Sequence, residues 1–319
     1  MTIVAPQVRM ETDALLSALE GVTAIPVVPY RNGQIDFDGH RKNVRYLMSH
    51  NALDGGRPRV ISIAGTSPVH HMTLDEQVKL VDATTQTMGS EGVYVAGVVP
   101  NPLADARKLI GELSALQRPP DAYLIMPLGG IYDPEGLYQT FRDFGDEMAD
   151  AHGARFIYYF KQSRDLDAVA RLFADSDAFI GVKVGTGEED VHPLVREVGD
   201  NGLIIWGIGD RSTRGAELGA KGHTSGIGLL AARLSDEINN AQRRGDYRTS
   251  AQLQAKADAL ETIRFRNGRI YNYSAVVEAM ILSGFDDIDG GEGAPFNPRV
   301  PEDIAYEVEE AIKPLIEFH

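Results

Sequence analysis

Short apolar runs recur along the chain with amphipathic stretches between them. Eight runs stand out: 23–29 (TAIPVVP), 59–65 (RVISIAG), 92–99 (GVYVAGVV), 122–127 (AYLIMP), 155–160 (RFIYYF), 179–185 (FIGVKVG), 203–209 (LIIWGIG) and 221–228 (KGHTSGIG). Each is near-continuously hydrophobic, as strands covered on both faces are. The stretches between them follow helical spacing, as with Leu74, Val78 and Val81. Strands alternating with helices predict parallel βαβ units. Eight such units predict a closed TIM (β/α)8 barrel, an α/β fold, over 1–229. An open dinucleotide-binding sheet would need a glycine-rich turn after the first strand, and VVPYRNGQID is not one. Four more helical patterns follow, at 229–245, 250–265, 273–285 and 301–318. They predict a helical C-terminal segment, 230–319, packed on the barrel, with a Gly/Pro-rich loop (DDIDGGEGAPFNPRVP) before the last helix.

Composition narrows the function classes. A formal net charge of −15 over 319 residues argues against nucleic acid or an anionic membrane surface as partner. The absence of cysteine excludes disulfides, thiolate nucleophiles and cysteine-based zinc sites, and fits a reducing, cytoplasmic setting. The N-terminus lacks the basic and apolar regions of a signal peptide, and no run is long enough for a membrane helix.

The run 179–185 places a lysine, Lys183, inside a predicted buried strand. Alternation puts Phe179, Gly181, Lys183 and Gly185 on one face, and Ile180, Val182 and Val184 on the other, suited to packing under helices. Barrel interiors are normally filled with bulky side chains. A lysine between glycines there reads as a site: burial lowers an amine's pKa, and a neutral amine is the nucleophile of Schiff-base chemistry. The structural alternative is a lysine that snorkels to the rim or pairs with a carboxylate.

With Lys183 placed, other segments fall into order: GVTAIPVVPYRNGQIDFDGH, ISIAGTSPVHHMTLDEQ, PEGLYQTF, FIYYFKQSR, FIGVKVGTGE, ELGAKGHTSGIG and NNAQRRGDY. Over nearly its whole length the chain resembles the dihydrodipicolinate synthase / N-acetylneuraminate lyase family of Schiff-base aldolases. The resemblance implies a TIM barrel with a C-terminal helical segment, no metal or organic cofactor, and a lysine imine with pyruvate or another 2-keto acid. It implies that Lys183 is the imine lysine. It implies that Tyr158 is the proton-shuttling tyrosine of the family's Y-N-x-P motif, with Tyr159 taking that place if the register shifts. Thr66 and Ser67 match the loop that holds the keto acid carboxylate, and Thr224 a position near the imine. Arg164 lies one place from the arginine that holds a second carboxylate in the synthases, and equally reads as a helix-start residue. The resemblance also implies a homo-oligomer, a dimer of dimers.

The chain departs from the pattern at Pro68 and Val69 where the family has Gly-Glu, at Leu128 and Gly129 where synthases carry a tyrosine pair, and after Tyr158, where Asn and Pro are missing. These departures argue against a dihydrodipicolinate synthase proper. They favour another aldolase or lyase, or a keto-acid dehydratase using the same imine. Tyr132 is the remaining tyrosine that could replace the lost relay. A metal-dependent barrel enzyme lacks a clear ligand set here, and a non-catalytic keto-acid binder would not need Lys183. Among weaker signals, His70 and His71 follow the Thr66–Ser67 loop, and His71 is a candidate substrate contact. His223 on the eighth run and Asp210 and Arg211 after the seventh sit where barrel loops carry function. Trp206 reads as core.

Overall fold

The computed structural model describes residues 9–319. All eight runs become strands, and they close into one parallel barrel: β1 Val22–Ala24, β2 Val60–Ile63, β3 Val93–Val98, β4 Ala122–Ile125, β5 Phe156–Phe160, β6 Phe179–Val184, β7 Leu203–Trp206 and β8 His223–Ser225. Strand β8 pairs with β1, Thr224 opposite Thr23, which leaves no open sheet edge. The fold is a TIM barrel with a C-terminal helical extension.

Local chemistry explains the helices between the strands. Helix α1, Thr12–Leu19, precedes the barrel. The Asp36 side chain accepts from the backbone N–H groups of Asp38 and Gly39 at the start of α2, Phe37–Ser49. Thr73 and Glu76 form a reciprocal capping box on α3, Leu74–Met88. Helix α4 spans Leu103–Ser114. Asp133 caps α5, Pro134–His152, with proline at its first turn and left-handed Gly153 at its end. Each N-cap of this kind contributes about 1 kcal/mol. Helices α6, Leu166–Asp175, α7, Val191–Val198, and the short α8, Thr213–Glu217, complete the crossovers. Phenylalanines fill the layer under α5 and α6: Phe156 packs on Phe144 and Phe179, and Phe179 on Phe173.

Helix α9, Gly228–Arg243, packs on β1 and α2 and also on α10, Tyr247–Arg269. A buried ion pair, Arg59 to Asp236 at 2.7 Å, ties it to the start of β2. Helices α11, Ser274–Ser283, and α12, Glu302–Ile312, follow. The Tyr273 hydroxyl donates to the Val28 carbonyl beyond β1, which fixes the α10–α11 junction against the barrel. Among the described residues no helix is long and apolar enough to cross a membrane.

Candidate active site

Lys183 is 3% exposed, and its register partners are Tyr159 on β5 and Ile205 on β7. Side chains paired across parallel strands share a face, so Lys183 and Tyr159 project together into the barrel. The ammonium nitrogen lies 4.2 Å from the centroid of the Tyr159 ring. The close fit depends on glycines around it. A Cβ at Gly207 would come within 2.8 Å of Lys183 Cγ, and one at Gly185 within 2.3 Å of the Tyr159 ring. Burial, reinforced by the nearby Arg269 guanidinium, lowers the Lys183 pKa to about 7. A large fraction of the amine is therefore unprotonated near neutrality. Among the described residues no carboxylate offsets the shift, and none pairs with Lys183 as the structural alternative would need.

The expected tyrosine is corrected. Tyr158 does not face Lys183. Its ring meets Phe141 of α5 edge-on at 6.0 Å, on the helix side of β5. Burial and the neighbouring Asp165 and Tyr132 push its pKa up. The cause is a register irregularity between β5 and β6: Phe156 pairs with Phe179, but Ile157 pairs with Gly181. The extra residue on β6, Ile180, interrupts strict alternation, and a one-residue slip exchanges faces. For the same reason Phe179, expected on the Lys183 face, packs among the helix-side phenylalanines.

The correction also changes Arg164. Measured from Tyr159 instead of Tyr158, the one-place offset from the synthase arginine disappears. The side chain nevertheless turns away from Lys183. Its guanidinium covers the Tyr132 ring at 4.8 Å and donates to the Tyr132 carbonyl at 3.4 Å. Tyr132 itself donates to buried Asp165 at 2.8 Å, so it joins this outer cluster and not the ring beside Lys183.

The turn after β2 closes the opposite side of the site. Left-handed Gly65 stands next to Lys183: a Cβ there would lie 3.9 Å from the ammonium nitrogen. Thr66 and Ser67 are buried, and their hydroxyls donate to the carbonyls of Ile25 and Pro26 at the end of β1, at 3.2 and 2.6 Å. Both side chains thus lock the turn onto β1. Among the described residues the Thr66 amide donates to no protein acceptor. Thr224 lies between His223 and Ser225, whose side chains approach Asp210 outside the barrel wall, so alternation directs Thr224 inward. His71 packs its ring against Phe296 at 4.7 Å, while His70 lines a crevice with Val69, Gln77 and Asn101. Neither histidine is brought onto Lys183. Asp210 is fully buried and accepts from Ser225, and Arg211 pairs with Asp258 on α10. Trp206 is buried beneath Gly215 of α8.

Two residues near Lys183 went unread in the sequence, Lys161 and Arg269. Lys161 follows the end of β5, two residues after Tyr159, and its nitrogen stands 5.7 Å from the centroid of the same ring. Arg269 comes from the far end of α10 and donates to the Gly185 carbonyl at 3.3 Å. Among the described residues no three His, Cys, Asp or Glu side chains gather as a metal site would.

Comparison with known proteins bears on the family and the fold. The sequence model of the dihydrodipicolinate synthetase family matches residues 18–312. The 4-hydroxy-tetrahydrodipicolinate synthase of Fervidobacterium nodosum is 25% identical over 253 residues, covering 77% of this chain and 82% of that protein. Dihydrodipicolinate synthase from Bacillus clausii superposes with a TM-score of 0.83 at 23% identity, covering 93% of this chain and 98% of that one. The chloride-inhibited dihydrodipicolinate synthase of Acinetobacter baumannii, solved with pyruvate, gives 0.80 at 20% identity, covering 94% and 100%.

Proposed function

Because this chain belongs to the dihydrodipicolinate synthetase family, we propose that it is a Schiff-base lyase that makes or breaks a carbon–carbon bond in pyruvate or another 2-keto acid. The observation that carries the reading is the placement of Lys183: a buried amine with no acid partner among the described residues, its pKa lowered by burial, and its nitrogen 4.2 Å from the Tyr159 ring centroid. Enzymes of this family work through a covalent lysine–pyruvate imine and no external cofactor.

In the proposed sequence the neutral Lys183 amine adds to the C2 carbonyl carbon. The carbinolamine loses water to give a protonated imine. That imine accepts the electron pair released when a C3 proton or the C3–C4 bond is broken, which leaves an enamine. The keto acid carboxylate is held by the Gly65–Ser67 turn, where the Thr66 amide has no protein acceptor among the described residues and strand C-terminal loops form barrel sites. Tyr159 carries protons to and from the reacting atoms. Among the described residues its hydroxyl makes no hydrogen bond within the protein, so it is free to meet substrate. Thr224 lines the wall across from them.

Enamine formation exchanges the C3 protons of pyruvate with solvent. In D2O the native protein is expected to deuterate the pyruvate methyl group, followed by proton NMR. Tyr159→Phe should slow that exchange by about 10²- to 10⁴-fold, the usual share of a general acid–base. Tyr158→Phe should leave it within about twofold, because its ring lies on the helix side. Equal losses in both variants, or no deuteration by the native protein, would remove this reading.

We further propose that the chain works as a homo-oligomer, the assembly that its resemblance to the family implies. A monomer by sedimentation at working concentration would refute this.

A further inference from the structure

Three basic side chains gather here: Lys183 and Lys161, whose nitrogens lie 4.2 and 5.7 Å from the Tyr159 ring centroid, and Arg269 from the C-terminal helices, which reaches the Gly185 carbonyl. Lys161 and Arg269 both donate to one acceptor, the Gly185 carbonyl, at 2.8 and 3.3 Å. Like charges held this close oppose one another. In a chain of net charge −15, carboxylates to neutralise them are plentiful, yet among the described residues none forms an ion pair with any of the three. The Lys161 pKa is lowered by burial, with Arg269 and Lys183 adding to the shift.

The backbone that delivers Arg269 is itself under strain. Asn267, Gly268 and Arg269 are all left-handed, with φ of 49°, 75° and 75°. Two of these residues carry a Cβ, for which that region is costly, and such outliers persist where surrounding structure enforces them. Stacking of the guanidinium on Phe265, at 5.1 Å, and the Gly185 carbonyl hold Arg269 over the site. Thr186, just after Gly185 and beyond the end of β6, buries a hydroxyl that has no partner among the described residues. Arg164, meanwhile, is occupied by Tyr132 and Asp165.

We infer that Lys161 and Arg269 form a subsite for a second anionic group on the substrate, so that this chain acts on 2-keto acids bearing a carboxylate or phosphate at the end remote from the ketone. The inference rests on the proposed keto-acid reading and names the substrate class within it. The two ammonium nitrogens flank one ring, so they lie at most about 10 Å apart. A chain of a few carbons reaches from an imine on Lys183 to this pair.

The test compares matched keto acids by calorimetry. 2-Oxoglutarate and 3-phosphonopyruvate carry a distal carboxylate or phosphonate, and 2-oxopentanoate carries neither. The native protein is expected to bind at least one anionic compound about tenfold or more tightly than 2-oxopentanoate, with the preference shrinking as salt is raised. The compound preferred identifies the anion. Lys161→Gln, which keeps a donor for the Gly185 carbonyl, and Arg269→Gln should each reduce that preference about tenfold or more. No preference in the native protein, or one unchanged in both variants, overturns the inference. Borohydride trapping of pyruvate on the same samples separates the two claims. A charge preference without a pyruvate adduct refutes the imine and leaves the subsite standing. An adduct without a charge preference refutes the subsite alone.

Discussion

Lys183→Ala is expected to abolish turnover of every 2-keto acid, by at least about 10⁴-fold in kcat, because it removes the amine assigned to the covalent intermediate. That loss corresponds to about 5.5 kcal/mol or more of transition-state stabilisation. It should differ in kind from the effect of Tyr159→Phe, which slows proton transfer while leaving imine formation possible. The native protein should also show a pH dependence set by the amine. Attack on the ketone needs the neutral form, so activity limited by imine formation should rise as pH increases through about 7. Arg269→Gln should move that midpoint upward, since the guanidinium is the second cause of the depressed pKa, after burial. A midpoint near 10.5, the ordinary lysine value, would show that Lys183 is solvated in solution.

The second large effect concerns stability. Lys183→Met should make the protein more stable at about pH 6, by up to about 5 kcal/mol, because it removes a buried, unpaired ammonium while keeping most of the volume. The sign follows from proton counting. Below about 7 the amine is protonated in both the folded and unfolded states, and the folded protein bears the full cost of the buried charge. Between about 7 and 10.5 the unfolded chain binds more protons than the folded one, so native stability rises with pH relative to the variant. The gap between native protein and Lys183→Met, measured by urea unfolding, should therefore be widest at about pH 6 and narrower at about pH 9. A gap that does not change with pH would mean the pKa is not depressed. A variant more stable yet inactive would match the common trade-off between a strained site and a stable fold.

The barrel was legible because its signal repeats. Eight apolar runs, each bounded by turn residues and followed by an amphipathic stretch, leave few topologies to choose among. Lys183 was legible for the opposite reason, as a single charged residue interrupting such a run. The tyrosine was not, because β5 reads FIYYF and is apolar on both faces. With no polar/apolar alternation, nothing in the sequence says which tyrosine points inward. The extra residue on β6 that settles it has no composition signal of its own. Lys161 would have followed had Tyr159 been placed, since it lies two residues on, just past the end of the same strand. Arg269 depends on three successive left-handed residues at the end of α10. The Asn267-Gly268 pair marks a turn there, but not that the turn aims an arginine at a barrel strand far away in sequence. The Thr66 and Ser67 positions were expected from the resemblance. Their hydroxyl bonds to the end of β1 were not, because these depend on how the turn after β2 lies across its neighbour.

The central claim is that Lys183 forms an imine, and borohydride trapping tests it most directly. The protein is incubated with pyruvate and reduced, so that hydride converts the imine to a stable secondary amine, and the intact mass and modified peptide are then read. The account predicts one adduct per chain, on the peptide holding Lys183, and none in Lys183→Ala. An adduct on another lysine, or none across pyruvate and longer 2-keto acids, would contradict it.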